Sequence, residues 1–224
     1  MCKKKVLGTV TIGQSPRYDL IPEMMPFLGD DVDVIEAGAL DGMTLDEVAK
    51  LYPEPGDYVL VTRMRDGTQV KIAEKYIAPK MQEKIGELET KGAQIIALVC
   101  TGEFPQFRSS KLVIRPERVL FNVVKSVGEG MRLGVFIPDE DQIEHAKLRW
   151  SRVSPSVHVH AASPYRSMDE IAAAAAALKK SDVQIGVLDC IGYTIAAKEA
   201  VKDILRVPIV LARSIVARTV AELL

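Results

Sequence analysis

"QIIALVCTGE" at residues 94–103 and "QIGVLDCIGY" at residues 184–193 say nearly the same thing twice. Aligned, they share residues at Gln94/Gln184, Ile95/Ile185, Leu98/Leu188, Cys100/Cys190 and Gly102/Gly192. Each copy is a short apolar run of the kind that forms a buried strand, and each ends in Cys-x-Gly. The only other cysteine is Cys2, so the repeated position holds two of the three.

Working outward, the flanks alternate apolar runs with amphipathic stretches, the pattern of β/α units around a parallel sheet. "KVLGTVTIG" opens the chain as a first strand, and "MRLGVFIP" echoes it at the start of a second half. Ser15 followed by Pro16 fits a helix N-cap with proline at the first helical position. "DVDVIEAG" reads as a strand, and "TLDEVAKLY" as a helix opened by a capping box from Thr44 to Glu47. "DYVLVTRMRDGTQVKI" alternates around Asp66-Gly67, a hairpin signal, and a long helix over about residues 73–91 ends at Gly92. The second half predicts a helix over about 141–151, a strand at "SVHVHAAS", and a helix at "SMDEIAAAAAALKK" with a capping box from Ser167 to Glu170. The alanine run carries no chemistry; alanine costs no side-chain entropy in a helix. "AAKEAVKDIL", "VPIVLA" and "SIVARTVAELL" close the chain as helix, strand and helix. The fold class is therefore α/β, in two halves, each closing on a strand that delivers a cysteine.

The 224 residues, 48% apolar and 26% charged, have the balance of a globular protein. A formal charge of −1 gives no electrostatic reason to expect nucleic acid or an anionic membrane as partner. The basic start is followed by an apolar stretch broken by Gly8, Thr9 and Thr11, unlike a signal peptide, and a cytoplasmic location is expected. Three cysteines make no disulfide framework, and no spacing suggests a metal site. Histidine is confined to His145, His158 and His160, and no Gly-x-Ser-x-Gly elbow is present, which argues against a Ser-His-Asp hydrolase.

In parallel α/β sheets ligands bind beyond the carboxyl ends of the strands, where both cysteines fall. A thiol near a helix N-terminus is stabilised as thiolate by backbone N–H groups and the helix dipole. Gly102 and Gly192 would let backbone amides approach a carboxylate, and Thr101, Tyr193 and Thr194 would add hydroxyl donors. Two thiols on opposite faces of one carbon suit a cofactor-independent racemase. The competing reading is that both are inert core residues, since cysteine is among the most buried residue types.

"LGTVTIGQSPR", the Arg-Pro-x-Arg of "IRPERVL", "LDCIGYT" and "VPIVLARSIVARTVAELL" resemble the AroM family over essentially the whole chain. That family is similar to the aspartate/glutamate racemase superfamily, with its hydantoin racemases, maleate isomerases and arylmalonate decarboxylases. The resemblance implies two pseudo-symmetric flavodoxin-like halves, each a parallel sheet flanked by helices, with an active-site cleft between them. The C-terminal segment would return to the first half, giving residues 1–127 plus 208–224 and residues 128–207. It implies Cys100 and Cys190 as catalytic residues and neither metal nor pyridoxal phosphate. Ser15 and Arg17 would line the substrate pocket, and Arg65 would lie near a basic motif for a distal carboxylate; a homodimer is also implied. Amino-acid racemases usually read Cys-Asn-Thr and Gly-Cys-Thr at the two sites. Here they are Cys100-Thr101-Gly102 and Asp189-Cys190-Ile191, which argues against aspartate or glutamate as substrate. The expected function is proton transfer at carbon of a small carboxylic acid. The alternative is a non-catalytic carboxylate- or phosphate-binding protein, with Arg17, Arg63, Arg65 and Arg108 as candidate ligands.

Overall fold

A computed structural model describes residues 4–224 of the chain; Cys2 lies outside the described residues. The chain divides into two compact units, Met1–Glu117 with Ala217–Leu224, and Arg118–Val216.

In chain order the first unit contains β1 (Lys5–Thr11), α1 (Ile21–Leu28), β2 (Val32–Gly38), α2 (Leu45–Ala49) and the antiparallel pair β3 (Val59–Arg63) and β4 (Gln69–Ala73). It continues through α3 (Glu74–Thr90), β5 (Ile95–Leu98), β6 (Leu112–Ile114) and the start of α4 (Pro116–Gly128). Its parallel sheet has the order β2-β1-β5-β6. Helix α3 packs on β1 and β2, and Met81, Ile85 and Leu88 join Val10, Ile96 and Leu98 in one core.

The second unit contains β7 (Leu133–Ile137), a 3-10 turn at Glu140–Gln142, α5 (Ile143–Trp150), β8 (Val157–Ala161) and α6 (Met168–Lys179). Then follow β9 (Ile185–Leu188), α7 (Ile195–Leu205), β10 (Ile209–Leu211) and α8 (Ala212–Leu223). The parallel sheet has the order β10-β9-β7-β8. Read from the other edge, this is the order of the first unit: second strand, first, third, fourth. The repeat in the sequence is thus a repeat of topology. Because β10 hydrogen-bonds to β9, residues 209–211 stay with the second sheet rather than starting a return at 208, and the change of unit falls inside α8.

The echoed residues do the same work in each unit. Gln94 donates its backbone N–H to the Val6 carbonyl at 2.8 Å and accepts from the Val6 N–H through its side chain at 2.9 Å. Gln184 repeats both bonds with Arg132, at 2.8 and 3.1 Å. The glutamines thereby set the third strand of each sheet against the start of its first. The Leu-Gly pairs are spatial. A Cβ on Gly8 would stand 3.0 Å from the Ala93 Cβ and 3.2 Å from Leu88, and one on Gly134 would stand 3.2 Å from Val183 and 3.4 Å from Leu178. In each case a helix end closes on the opening strand where a larger residue would push it away.

Thr44 and Glu47 form the expected capping box, and the Ser167 hydroxyl accepts from Glu170 N–H. The Asp66-Gly67 turn closes the β3–β4 hairpin. The helix expected at Ser15–Pro16 instead begins at Ile21, with Pro22 in its first turn. Ser15 cannot cap it, because its N–H and hydroxyl both bond to Asp41, at 2.7 and 2.6 Å. Beyond Gly102 the chain holds β6 and α4, with Pro116 at the first helical position of α4 as the signal legible in the sequence. Among the described residues, no helix is long and apolar enough to cross a membrane.

Candidate functional site

In a sheet of this order the strands on either side of the first and third run their connections to opposite faces, leaving a crevice at their carboxyl ends. Cys100 follows β5 and Cys190 follows β9, the third strand of its own sheet. Each cysteine therefore stands at the switch point of its unit.

The two thiols share one local geometry. Gly102 N–H donates to the Cys100 Sγ at 3.3 Å, and Gly192 N–H donates to the Cys190 Sγ at 3.3 Å. Neither cysteine is in a disulfide, and both are half-buried. A backbone N–H aimed at sulfur favours the thiolate over the thiol. The loops fit because their glycines lack Cβ: one on Gly102 would meet Leu60 at 2.7 Å, and one on Gly192 would meet Pro164 and Tyr165 at 2.8 Å.

Side-chain alternation separates Cys190 from the acid beside it. Leu188 belongs to the core under α6 and α7, and Cys190 packs against that same core. Asp189 points the other way, where the Arg149 guanidinium and the Trp150 indole N–H both donate to its carboxylate. The Asp189 carboxylate is thus neutralised on the opposite face of the strand exit from the Cys190 thiol. The Arg149 guanidinium also lies 4.9 Å from the Trp150 ring centre.

The remaining expected residues fall into two groups. Tyr193 is fully buried, and its hydroxyl donates to the Ala162 carbonyl at 2.6 Å. Burial, then the neighbouring Cys190 and Asp189 charges, hold its phenol well above the ordinary range. Thr194 caps α7, its hydroxyl oxygen accepting from Ala197 N–H at 3.0 Å. Thr101 is buried beside Cys100.

Ser15, Arg17 and Arg65 come together in the loop that leaves β1. Arg17 is 4% exposed and grips the Asp19 carboxylate with two bonds of 2.8 Å, while also donating to Thr11 at 2.9 Å. Burial alone would raise the Asp19 carboxyl, but the hydrogen bonds and charge of Arg17 outweigh it and hold the group below its usual range. Arg65 donates through Nε to the Ser15 carbonyl at 2.9 Å and leaves most of its side chain in solvent. The Gln14 side chain ties the same loop to the carbonyls of Leu40 and Met43. Between this loop and the hairpin turn lies a concavity of about 250 Å³ lined by Arg17, Tyr18, Asp19, Arg63, Arg65 and Asp66 among others; no cysteine lines it.

Sequence reading missed three supporting groups. Asp41 holds the β1 loop through Ser15 and also accepts from Gly38 N–H at 2.8 Å. Arg115, directly after β6, donates to the Phe104 carbonyl beyond Cys100. Arg213, after β10, donates to the carbonyls of Ile191 and Gly192, both at 2.9 Å. The signal was a single arginine closing the fourth strand of each half, in "IRPERVL" and "VLARSIV".

The model of the AroM family, described as AroM protein, matches residues 7–224. A comparison with curated protein sequences found no match. Among solved structures, the chain is similar to a liganded double mutant of arylmalonate decarboxylase at TM-score 0.64 and 14% identity, covering 99% of this chain and 92% of that one. It is similar to the maleate isomerase Iso from Pseudomonas putida S16 at TM-score 0.64 and 12% identity, covering 98% and 93%. It is also similar to allantoin racemase from Klebsiella pneumoniae at TM-score 0.61 and 13% identity, covering 98% and 87%. At these identities the likeness is one of fold.

Proposed function

The chain belongs to the AroM family, and from that premise we propose that it is a cofactor-independent racemase- or isomerase-type enzyme acting on a small carboxylic acid. The observation that carries the reading is the duplicated thiol: each sulfur stands at the switch point of its sheet and accepts a backbone N–H from the glycine two residues on.

The chemistry follows from those sulfurs. One thiolate removes the proton from the carbon next to the substrate carboxylate, and the carbon–hydrogen electron pair moves into an enolate-like intermediate. The other thiol returns a proton to that carbon, so one sulfur is protonated as the other is deprotonated. Backbone donors and the hydroxyl of Thr101 are the groups proposed to stabilise the developing negative charge. The fold neighbours include racemases, an isomerase and a decarboxylase, which supports this class of reaction without selecting a member.

The test is incubation of the wild-type chain with chiral small carboxylates in D2O, with Cys100→Ser and Cys190→Ser in parallel. Deuterium at the carbon next to the carboxylate, lost in either variant, is the expected result. Exchange that persists in both variants sinks the thiol mechanism.

A second reading, a binding protein without turnover, is favoured by the arginine-rich concavity, which no cysteine lines. A carboxylate or phosphate that raises the melting temperature equally in the wild type and in the Cys100→Ser/Cys190→Ser double variant, with no exchange, would select it.

A further inference from the structure

One peptide unit connects Arg213 to Cys190. The carbonyl of Ile191 and the N–H of Gly192 are the two ends of a single planar amide. The carbonyl end accepts from Arg213 Nε at 2.9 Å, and the N–H end donates to Cys190 Sγ at 3.3 Å. The next carbonyl, of Gly192, accepts from Arg213 Nη2 at 2.9 Å, so the guanidinium fork spans two successive peptides of the loop. Arg213 is itself 1% exposed, fixed at the start of α8. We propose that Arg213 is a positioning residue for Cys190: it locks the Ile191–Gly192 peptide with its N–H on the sulfur and polarises that peptide towards stronger donation.

A cation at the carbonyl end draws electron density along the amide and makes the N–H a better donor, an effect strengthened away from bulk water. Through that amide the sulfur gains support as a thiolate. The first unit is built differently. There the arginine after the fourth strand, Arg115, reaches the Phe104 carbonyl, beyond the Thr101–Gly102 peptide that serves Cys100. The two sulfurs are therefore held by the same bond but tuned by different means, with Cys190 the one tied to a buried guanidinium.

Other charged and titratable groups stand near Cys190. Asp189 lies on the opposite face, paired with Arg149 from α5. Tyr193 is spent on the Ala162 carbonyl, and Tyr165, from the loop after β8, lies against Gly192. Helix α7 turns Ala197, Val201 and Leu205 towards this core.

The inference rests on Cys190 as a working thiol, but its readout is thiol acidity, not turnover. With Cys2→Ser and Cys100→Ser in place, iodoacetamide reports Cys190 alone, and the midpoint of rate against pH separates acidity from access. Arg213→Met is expected to move that midpoint upward and to slow alkylation at neutral pH by about tenfold, as a shift of one unit would. Arg213→Lys, which keeps the charge but not the fork, is expected to fall between. In the reciprocal background, with Cys2→Ser and Cys190→Ser, the midpoint of Cys100 is expected to stay in place. If Arg213→Met does not fold, a raised midpoint in Arg213→Lys supports the inference, and an unmoved one overturns it. An unmoved midpoint in both variants, with deuterium exchange intact in the chain that keeps both Cys100 and Cys190, overturns the role of Arg213 and leaves the proposed reaction standing. A raised midpoint with no exchange on any carboxylate does the reverse.

Discussion

Arg149 and Asp189 form a buried ion pair on the far side of the strand exit from Cys190, and the Trp150 indole shares the same carboxylate oxygen at 2.8 Å. Removing one member leaves the other buried and uncompensated, which costs more than the pair contributes. Arg149→Met is expected to lower unfolding free energy by about 3–5 kcal/mol in urea titrations. Adding Asp189→Leu should restore part of that loss. A double variant no more stable than the single one would contradict a pair held by mutual neutralisation.

Two carboxyls beside Arg17 should respond to acid with opposite signs. Asp19 sits below its unfolded value, about 3.9, so its contribution is complete above that pH and is lost as the pH falls through its folded value. Glu36 is raised, by burial first and then by the charges of Asp19 and Asp41, against the bond from Arg17 N–H. Its ionisation therefore costs stability as the pH climbs past about 4.3, the unfolded value. Asp19→Asn is expected to destabilise at pH 7 and Glu36→Gln to stabilise there, both differences shrinking near pH 3. Denaturant midpoints at the two pH values decide it, and equal signs at pH 7 would refute the assignment.

Tyr193 tests whether a residue in the repeated motif belongs to the site or to the core. Tyr193→Phe deletes the donor to the Ala162 carbonyl and is expected to cost about 1–3 kcal/mol. The alkylation midpoint of Cys190 should stay in place. A moved midpoint at unchanged stability would return the hydroxyl to the site.

Gly192→Ala and Gly102→Ala introduce a methyl group where 2.8 and 2.7 Å are available. Each is expected to cost about 1–3 kcal/mol as overpacking. Each should also raise the alkylation midpoint of its own cysteine, because the loop must shift away from the sulfur. Stability loss without any change at the thiol would show that the N–H bond survives the shift.

The repeated stretch carried most of the fold because each echoed residue answers a local requirement: glutamine bridges strands, glycine makes room, cysteine marks a strand end. Those demands are met within a few residues and show as pattern. Ser15 was misread as a helix cap because a short hydroxyl serves as well for an aspartate far along the chain, and only folding reveals that Asp41 claims it. The hydroxyls of Tyr193 and Thr194 likewise have partners that the sequence does not display, the Ala162 carbonyl and the first turn of α7. Arg115 and Arg213 escaped notice because their partners are carbonyls, which every residue has and no sequence displays.

The donors to the two sulfurs are main-chain groups, and this gives the site an unusual kind of durability. Among the standard residues, only proline at 102 or 192 would abolish an N–H outright. Neighbouring side chains can drift, as Thr101 has from Ile191 and Val99 from Asp189, while the contact to sulfur stays the same in both units. Selection is thereby free to change the side chains around each sulfur without removing the N–H that the sulfur accepts.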